Sequence, residues 1–170
     1  VRLGNIALRP LEHGRAIHLS ERIAVTPLLV PHRDEYSETV AFVIRGPQRS
    51  VLWLPDIDKW EKWSTPIESL MENVDVAYLD ATFFDERELP GRDLSEIPHP
   101  TMRETMVRLS SVAEKVRFIH LNQSNPALRD TAVLREIRGM AHITGGGIYE
   151  NLPRSLPPWP AIPCGCPVSA

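Results

Sequence analysis

Val51-Leu52-Trp53-Leu54-Pro55-Asp56-Ile57-Asp58 sets the reading of this chain. Its first half is apolar at nearly every position, which fits a short strand buried on both faces. That strand runs straight into a carboxylate. The same design recurs: Leu28-Leu29-Val30-Pro31 leads into His32, residues 74–79 end on Asp80, and Val116-Arg117-Phe118-Ile119 leads into His120. A strand is stiff and its end is a fixed point. Side chains delivered there by several strands can converge without ordering a long loop, as a preorganised metal site requires. Imidazole and carboxylate together suit zinc, iron or manganese. Taken singly, each of these residues could be no more than the polar group that stops a buried strand. Four together, with two of the chain's six histidines among them, argue for a site. His13, His18 and His142 have no comparable context and read as surface or packing residues.

Working outward, residues 6–11, 16–19, 23–30, 39–44 and 50–54 read as strands. They are split by His13-Gly14, by Ser20-Glu21-Arg22 and by Gly46-Pro47. Residues 59–73 have helical spacing, with Ile67, Leu70, Met71 and Val74 on one side. Residues 74–79 return to strand, and residues 85–100 form a polar loop. Thr101-Met102-Arg103-Glu104 is a capping box opening a helix whose apolar face is Met102, Met106 and Leu109. Residues 116–121 form a strand. Pro126 suits the first turn of a helix running to about Arg138 and capped by Gly139. Residues 143–150 suggest a last short strand weakened by three glycines. A meander followed by alternating strands and helices predicts an α/β layered fold with a mixed sheet.

At 170 residues the chain fits one domain with a real core. The net charge is −3 with a pI near 6.1, and no Lys/Arg-rich run stands out. That composition points away from nucleic acid and anionic membranes, and no apolar stretch approaches a membrane span. Cys164 and Cys166 form a lone Cys-Gly-Cys without the second pair of a zinc knuckle, and a reduced, cytoplasmic setting is expected. Six prolines between residues 152 and 170 deny donors to helix or sheet. Residues 1–151 are therefore expected to form the domain, and residues 152–170 a disordered tail.

Three motifs carry a family resemblance. Residues 30–42, a strand ending on His32 and followed by a returning strand, resemble the third metal motif of the metallo-β-lactamase superfamily. Leu52-Trp53-Leu54-Pro55-Asp56-Ile57-Asp58 resembles the fourth, in which a strand delivers a metal-bridging Asp. Phe118-Ile119-His120-Leu121-Asn122-Gln123-Ser124-Asn125-Pro126 resembles the fifth. Tyr78-Leu79-Asp80-Ala81-Thr82-Phe83-Phe84 and the stretch from His120 to Pro126 resemble, more narrowly, the branch around coenzyme PQQ synthesis protein B. The resemblance covers roughly residues 3–130. The superfamily's His-x-His-x-Asp-His cluster has no counterpart here, and the chain begins with Val rather than Met. The expectation is the C-terminal half of an αββα sandwich, needing a missing N-terminal half or a second copy as partner.

The resemblance implies a metal set of His32, Asp56 and His120, with Asp58 as an alternative to Asp56 or a supporting group. It implies a catalytic group of Asp56, Asp80 and His99. The ion would be zinc first, with iron or manganese as alternatives and one or two ions possible. His99, held between Pro98 and Pro100, reads either as a proton donor or substrate contact over the site, or as a surface residue leading into a helix. Arg33, Asp34 and Glu35 either hydrogen-bond the ligand or are solvated charge. Trp53, Trp60 and Trp63 either line a pocket or pack. The implied activity is metal-dependent hydrolysis of an ester, amide or phosphoester-type bond in a small-molecule substrate. The alternatives are a metal-dependent oxidation in cofactor biosynthesis and an inactive fragment. Because the family's other half supplies most of the metal ligands, the chain alone is expected to bind metal weakly and to self-associate.

Overall fold

The computed structural model describes residue 7, residues 9–93 and residues 95–137. Six strands form one sheet in sequence order: β1 (Ile17–Ser20), β2 (Ile23–Val30), β3 (Thr39–Arg45), β4 (Ser50–Leu54), β5 (Val76–Asp80) and β6 (Val116–Ile119). The first four pair antiparallel as a meander, whereas β4–β5 and β5–β6 pair parallel. The parallel pairings need crossovers, supplied by α1 (Ile67–Glu72) and α2 (Met102–Arg108). α3 (Thr131–Glu136) follows β6. The mixed sheet with flanking helices is the expected α/β architecture.

Direction of the strands decides where the polar ends go. Two antiparallel steps make β2 run the same way as β4, and β5 and β6 run parallel to β4. All four C-terminal ends therefore lie at one edge of the sheet, which delivers His32, Asp56, Asp80 and His120 to one side of the molecule.

The sheet's two faces differ. Leu28, Val30, Ala41, Val43, Leu52, Leu54, Ala77, Leu79 and Phe118 pack with Ile67 and Met71 of α1, Met102 of α2 and Val133 of α3 in one core. Among the described residues the other face carries a smaller cluster of strand residues, in which buried Val76, Tyr78 and Ile119 are joined by half-buried Val51 and Trp53. Cross-strand partners stand on the same side, so the register adds Phe42 opposite Trp53 and Ile44 opposite Val51.

Several sequence expectations shift. Ala7 and residues 9–11 lie in no strand; Pro10 offers no ladder donor, and Arg9 and Leu11 are exposed. The helix expected over residues 59–73 is a 3-10 turn (Trp60–Lys62) and α1, separated by Ser64-Thr65-Pro66. The residue before a proline is pushed out of helical geometry, which breaks the run at Thr65. The helix expected from Pro126 is likewise a 3-10 turn (Pro126–Leu128) followed by α3. The break comes at Asp130, whose side chain accepts the Ala132 N–H and starts α3 anew. The Thr101 capping box forms, with Thr101 and Glu104 each bonding the other's backbone N–H. The expected strand at residues 143–150, the cysteines, His142 and the proline-rich tail lie outside the described residues.

Candidate metal centre

Asp80 is the last residue of β5 and is fully buried. A buried carboxylate is tolerated only when its oxygens are filled. Its Oδ1 accepts the backbone N–H of Thr82 at 2.9 Å and the Thr82 hydroxyl at 2.8 Å. Its Oδ2 accepts the N–H of Ile57 at 3.1 Å and lies 2.7 Å from Nδ1 of His99. Asp80 thus ties the loop after β4 and the loop carrying His99 to the end of β5.

His99 is held by its backbone as well. Its N–H donates to the Ile57 carbonyl at 3.1 Å, and its carbonyl accepts from Nζ of Lys59 at 3.0 Å. Its φ is +75°, and His120 follows at +63°. Left-handed backbone costs a side-chain-bearing residue free energy, although histidine is among the residues that adopt it more often. The two non-glycine residues in that conformation among those described are both site histidines. Such conformations persist where surrounding contacts over-determine them, as those around His99 do.

Burial pulls the His99 imidazole down in pKa. The hydrogen bond to Asp80, the charge of Asp80 and the charge of Asp56 outweigh it and hold His99 above its ordinary value. The carboxylate fixes the proton on Nδ1, which leaves Nε2 as the atom that can give or take one.

Asp56 lies just past β4. Its Oδ1 is buried without a hydrogen-bond partner, and stands 3.2 Å from Nε2 of His32 and 3.3 Å from Nδ1 of His99. Nδ1 of His32 is also buried and unpartnered. The rings of His32 and His99 are 5.2 Å apart, and those of His99 and His120 are 6.0 Å apart. One potential ligand atom from each of Asp56, Asp80, His99 and His120 lies within 4.8 Å of the others. His32 adjoins this group through Asp56.

The structure therefore brings together His32, Asp56, Asp80, His99 and His120. It does not bring in Asp58, whose carboxylate lies 2.6 Å from Nζ of Lys62 and whose N–H donates to the Pro31 carbonyl at 2.7 Å. Trp60 and Trp63 are core residues, with their indole N–H groups on the Thr105 hydroxyl and the Leu29 carbonyl. Asp34 accepts the Thr39 N–H at the start of β3 rather than contacting His32.

Sequence reasoning missed Thr82 and Asn125. The Thr82 hydroxyl sits 3.2 Å from Nδ1 of His99 and 3.3 Å from Nδ1 of His120. Buried Asn125 donates to the carbonyls of Ala81 at 2.8 Å and Thr82 at 3.4 Å, tying the loop after β6 to the end of β5. Both lie in the family-like stretches 78–84 and 120–126, but neither is a metal-ligand type, so residue chemistry alone does not single them out.

The residues fit a divalent cation. Two imidazoles, those of His32 and His99, face a carboxylate oxygen that has no hydrogen-bond donor of its own, and an orphaned buried acceptor is otherwise costly. Asp80, with its oxygens filled by protein donors, suits the role of orienting its neighbours.

Residues 2–121 match the beta-lactamase superfamily domain, and the chain belongs to that family. Among solved structures it is similar to Zn(2+)-bound PqqB from Methylobacterium extorquens, with a TM-score of 0.57 and 17% identity, covering 78% of this chain and 52% of that one. The likeness to that structure is one of fold, and with the family match it gives the chain a metallo-β-lactamase fold. Shorter matches join it to phosphoribosylformylglycinamidine cyclo-ligases. That of Geobacillus kaustophilus (strain HTA426) is 54% identical over 37 residues, 16% of this chain and 11% of that protein. That of Latilactobacillus sakei subsp. sakei (strain 23K) is 32% identical over 92 residues, 48% of this chain and 24% of that protein. The chain spans about half of the structural relative and a quarter or less of these curated ones. No helix among the described residues is long and apolar enough to cross a membrane.

Proposed function

We propose that this chain carries part of the metal site of a metal-dependent hydrolase, with His32, Asp56 and His120 as ligands and the Asp80–His99 pair as its proton-handling group. The observation that carries this reading is the buried Oδ1 of Asp56, without a hydrogen-bond partner and set between two imidazoles. Two histidines and one carboxylate leave a coordination position open, which distinguishes catalytic from structural zinc sites. Zinc is the first candidate, and it is the ion named for the related PqqB structure. Such an ion would supply an activated water near neutral pH and draw electron density from a carbonyl or phosphoryl oxygen.

The remaining chemistry belongs to the chain. Asp80 fixes the proton on Nδ1 of His99 and stabilises the imidazolium, so that Nε2 holds a proton to give to a leaving oxygen or nitrogen. Pro98 and Pro100 stiffen the loop that aims it. The substrate class is a small molecule with an ester, amide or phosphoester-type bond.

The purified chain, loaded with zinc, is assayed on p-nitrophenyl acetate and bis-p-nitrophenyl phosphate. Metal-dependent turnover that falls at least tenfold in Asp56→Asn and in His99→Gln supports the reading. Turnover indifferent to chelator, or zinc retention and turnover both unchanged in Asp56→Asn, overturns it. The branch resemblance favours a second reading, metal-dependent oxidation in cofactor biosynthesis. Iron as the metal retained through purification would select it.

A further inference from the structure

We infer that Thr82 is a positioning residue that sets the tautomer of His120 and so exposes its Nε2 lone pair. The inference rests on the metal reading for its purpose but not for its test. A threonine hydroxyl has one proton and two lone pairs. Besides the two imidazole Nδ1 atoms at 3.2 and 3.3 Å, two acceptors lie within reach of that proton: Asp80 Oδ1 at 2.8 Å and the His120 carbonyl at 3.4 Å. The carboxylate is nearer and charged, and charge-assisted bonds are the stronger ones. The proton therefore goes to Asp80, and Thr82 has only lone pairs left for the imidazoles.

Nδ1 of His120 lies 3.3 Å from that oxygen and 4.0 Å from Asp80 Oδ1. Facing acceptors, Nδ1 is stabilised as N–H, and in the neutral ring the lone pair then resides on Nε2. Nδ1 of His99 is 3.2 Å from the same oxygen but 2.7 Å from Asp80 Oδ2, so its proton answers to Asp80 instead. The hydroxyl is built in place. Its residue is buried, its own N–H is bound by Asp80, and its carbonyl accepts from the Asn122 N–H at 3.1 Å and from Asn125. His120 stands in left-handed backbone, φ +63°, with its Nδ1 against this oxygen just past the end of β5. A single hydroxyl thus relays the fixed charge of buried Asp80 to a ring that Asp80 does not itself bond.

The test is long-range 15N–1H correlation spectroscopy of the metal-free 170-residue chain at a pH where its histidines are neutral, with His120 assigned through His120→Gln. The expected result is an Nδ1–H tautomer for His120 in the wild type and in Thr82→Ser, and a shift toward Nε2–H in Thr82→Val. An Nε2–H tautomer in the wild type overturns the inference and needs no variant to fold. So does an unchanged Nδ1–H tautomer in a folded Thr82→Val. Zinc titration gives the second readout: Thr82→Val weakens binding about ten- to a hundredfold, as loss of a ligand-orienting group does, and Thr82→Ser restores it. A wild type that shows the Nδ1–H tautomer but binds no zinc supports the inference while overturning the metal reading.

Discussion

At the scale of single residues, the site is a division of labour between two aspartates. Asp80 has its oxygens filled by protein donors, whereas Asp56 keeps a buried oxygen without one. The sequence offers both as strand-end carboxylates, and nothing in their local context tells them apart. The difference arises from Thr82, from the Ile57 N–H and from a histidine nineteen positions away, all of which need the folded chain. The backbone of the histidines is equally invisible in the sequence. His99, at φ +75°, holds a conformation that glycine adopts freely and alanine does not. His99→Gly is therefore expected to be more stable than His99→Ala by about 1 kcal/mol, the cost of left-handed backbone for a residue with a Cβ. Urea unfolding of the two variants checks this, and an alanine variant of equal or greater stability would remove backbone strain from the account.

At the scale of elements, the strands were legible because each is an apolar run stopped by a polar residue, and β2 coincides with its expected bounds. Helix lengths were not, because periodicity ran through Thr65-Pro66 and Asp130, where local backbone chemistry breaks it. The Thr101 box was legible because its two bonds are local. In the sequence Asp85 marks only the start of a polar loop. It caps a 3-10 turn (Glu86–Glu88) through the Arg87 N–H, is held by the Arg87 guanidinium and lies 3.3 Å from Arg103 of α2. The hydrogen bond from the Arg87 side chain is the main reason its carboxyl sits below the usual range, helped by the Arg87 backbone and by both arginine charges against the opposing effect of burial. A carboxyl depressed in the folded state contributes stability that is fully present above the unfolded-state pKa and is lost as pH falls through the folded value. Asp85→Asn should therefore be less stable than wild type at neutral pH. The gap should close below the ordinary carboxylate range, near pH 4 and lower. Denaturation of both proteins across that range measures it, and a gap independent of pH would contradict the assignment.

At the scale of the whole molecule, one face of the sheet is closed by helices; among the described residues the other carries half-buried Phe42, Ile44, Val51 and Trp53 around the buried Tyr78. At ~25 cal/mol per Å², every 100 Å² of apolar surface that the half-buried side chains leave wet costs about 2.5 kcal/mol, an appreciable share of a domain's net stability. The chain is accordingly expected to self-associate through this face. Sedimentation should show concentration-dependent association that Phe42→Lys reduces, and a compact monomer at high concentration would mean that the face is covered from within the chain. The sheet's direction rule, by contrast, could be read in outline from the sequence: four apolar segments ending on candidate ligands became four parallel-running strand ends at one edge. What the sequence left open was which of Asp56 and Asp58 faces the site, a choice made by the turn that hands Asp58 to Lys62. The central claim is that Asp56, with His32 and His120, holds a divalent ion, and calorimetric titration of zinc into the purified chain tests it most directly. The account predicts binding that falls at least tenfold in Asp56→Asn and stays close to wild type in Asp58→Asn. Binding insensitive to Asp56→Asn, or lost in Asp58→Asn instead, would contradict it.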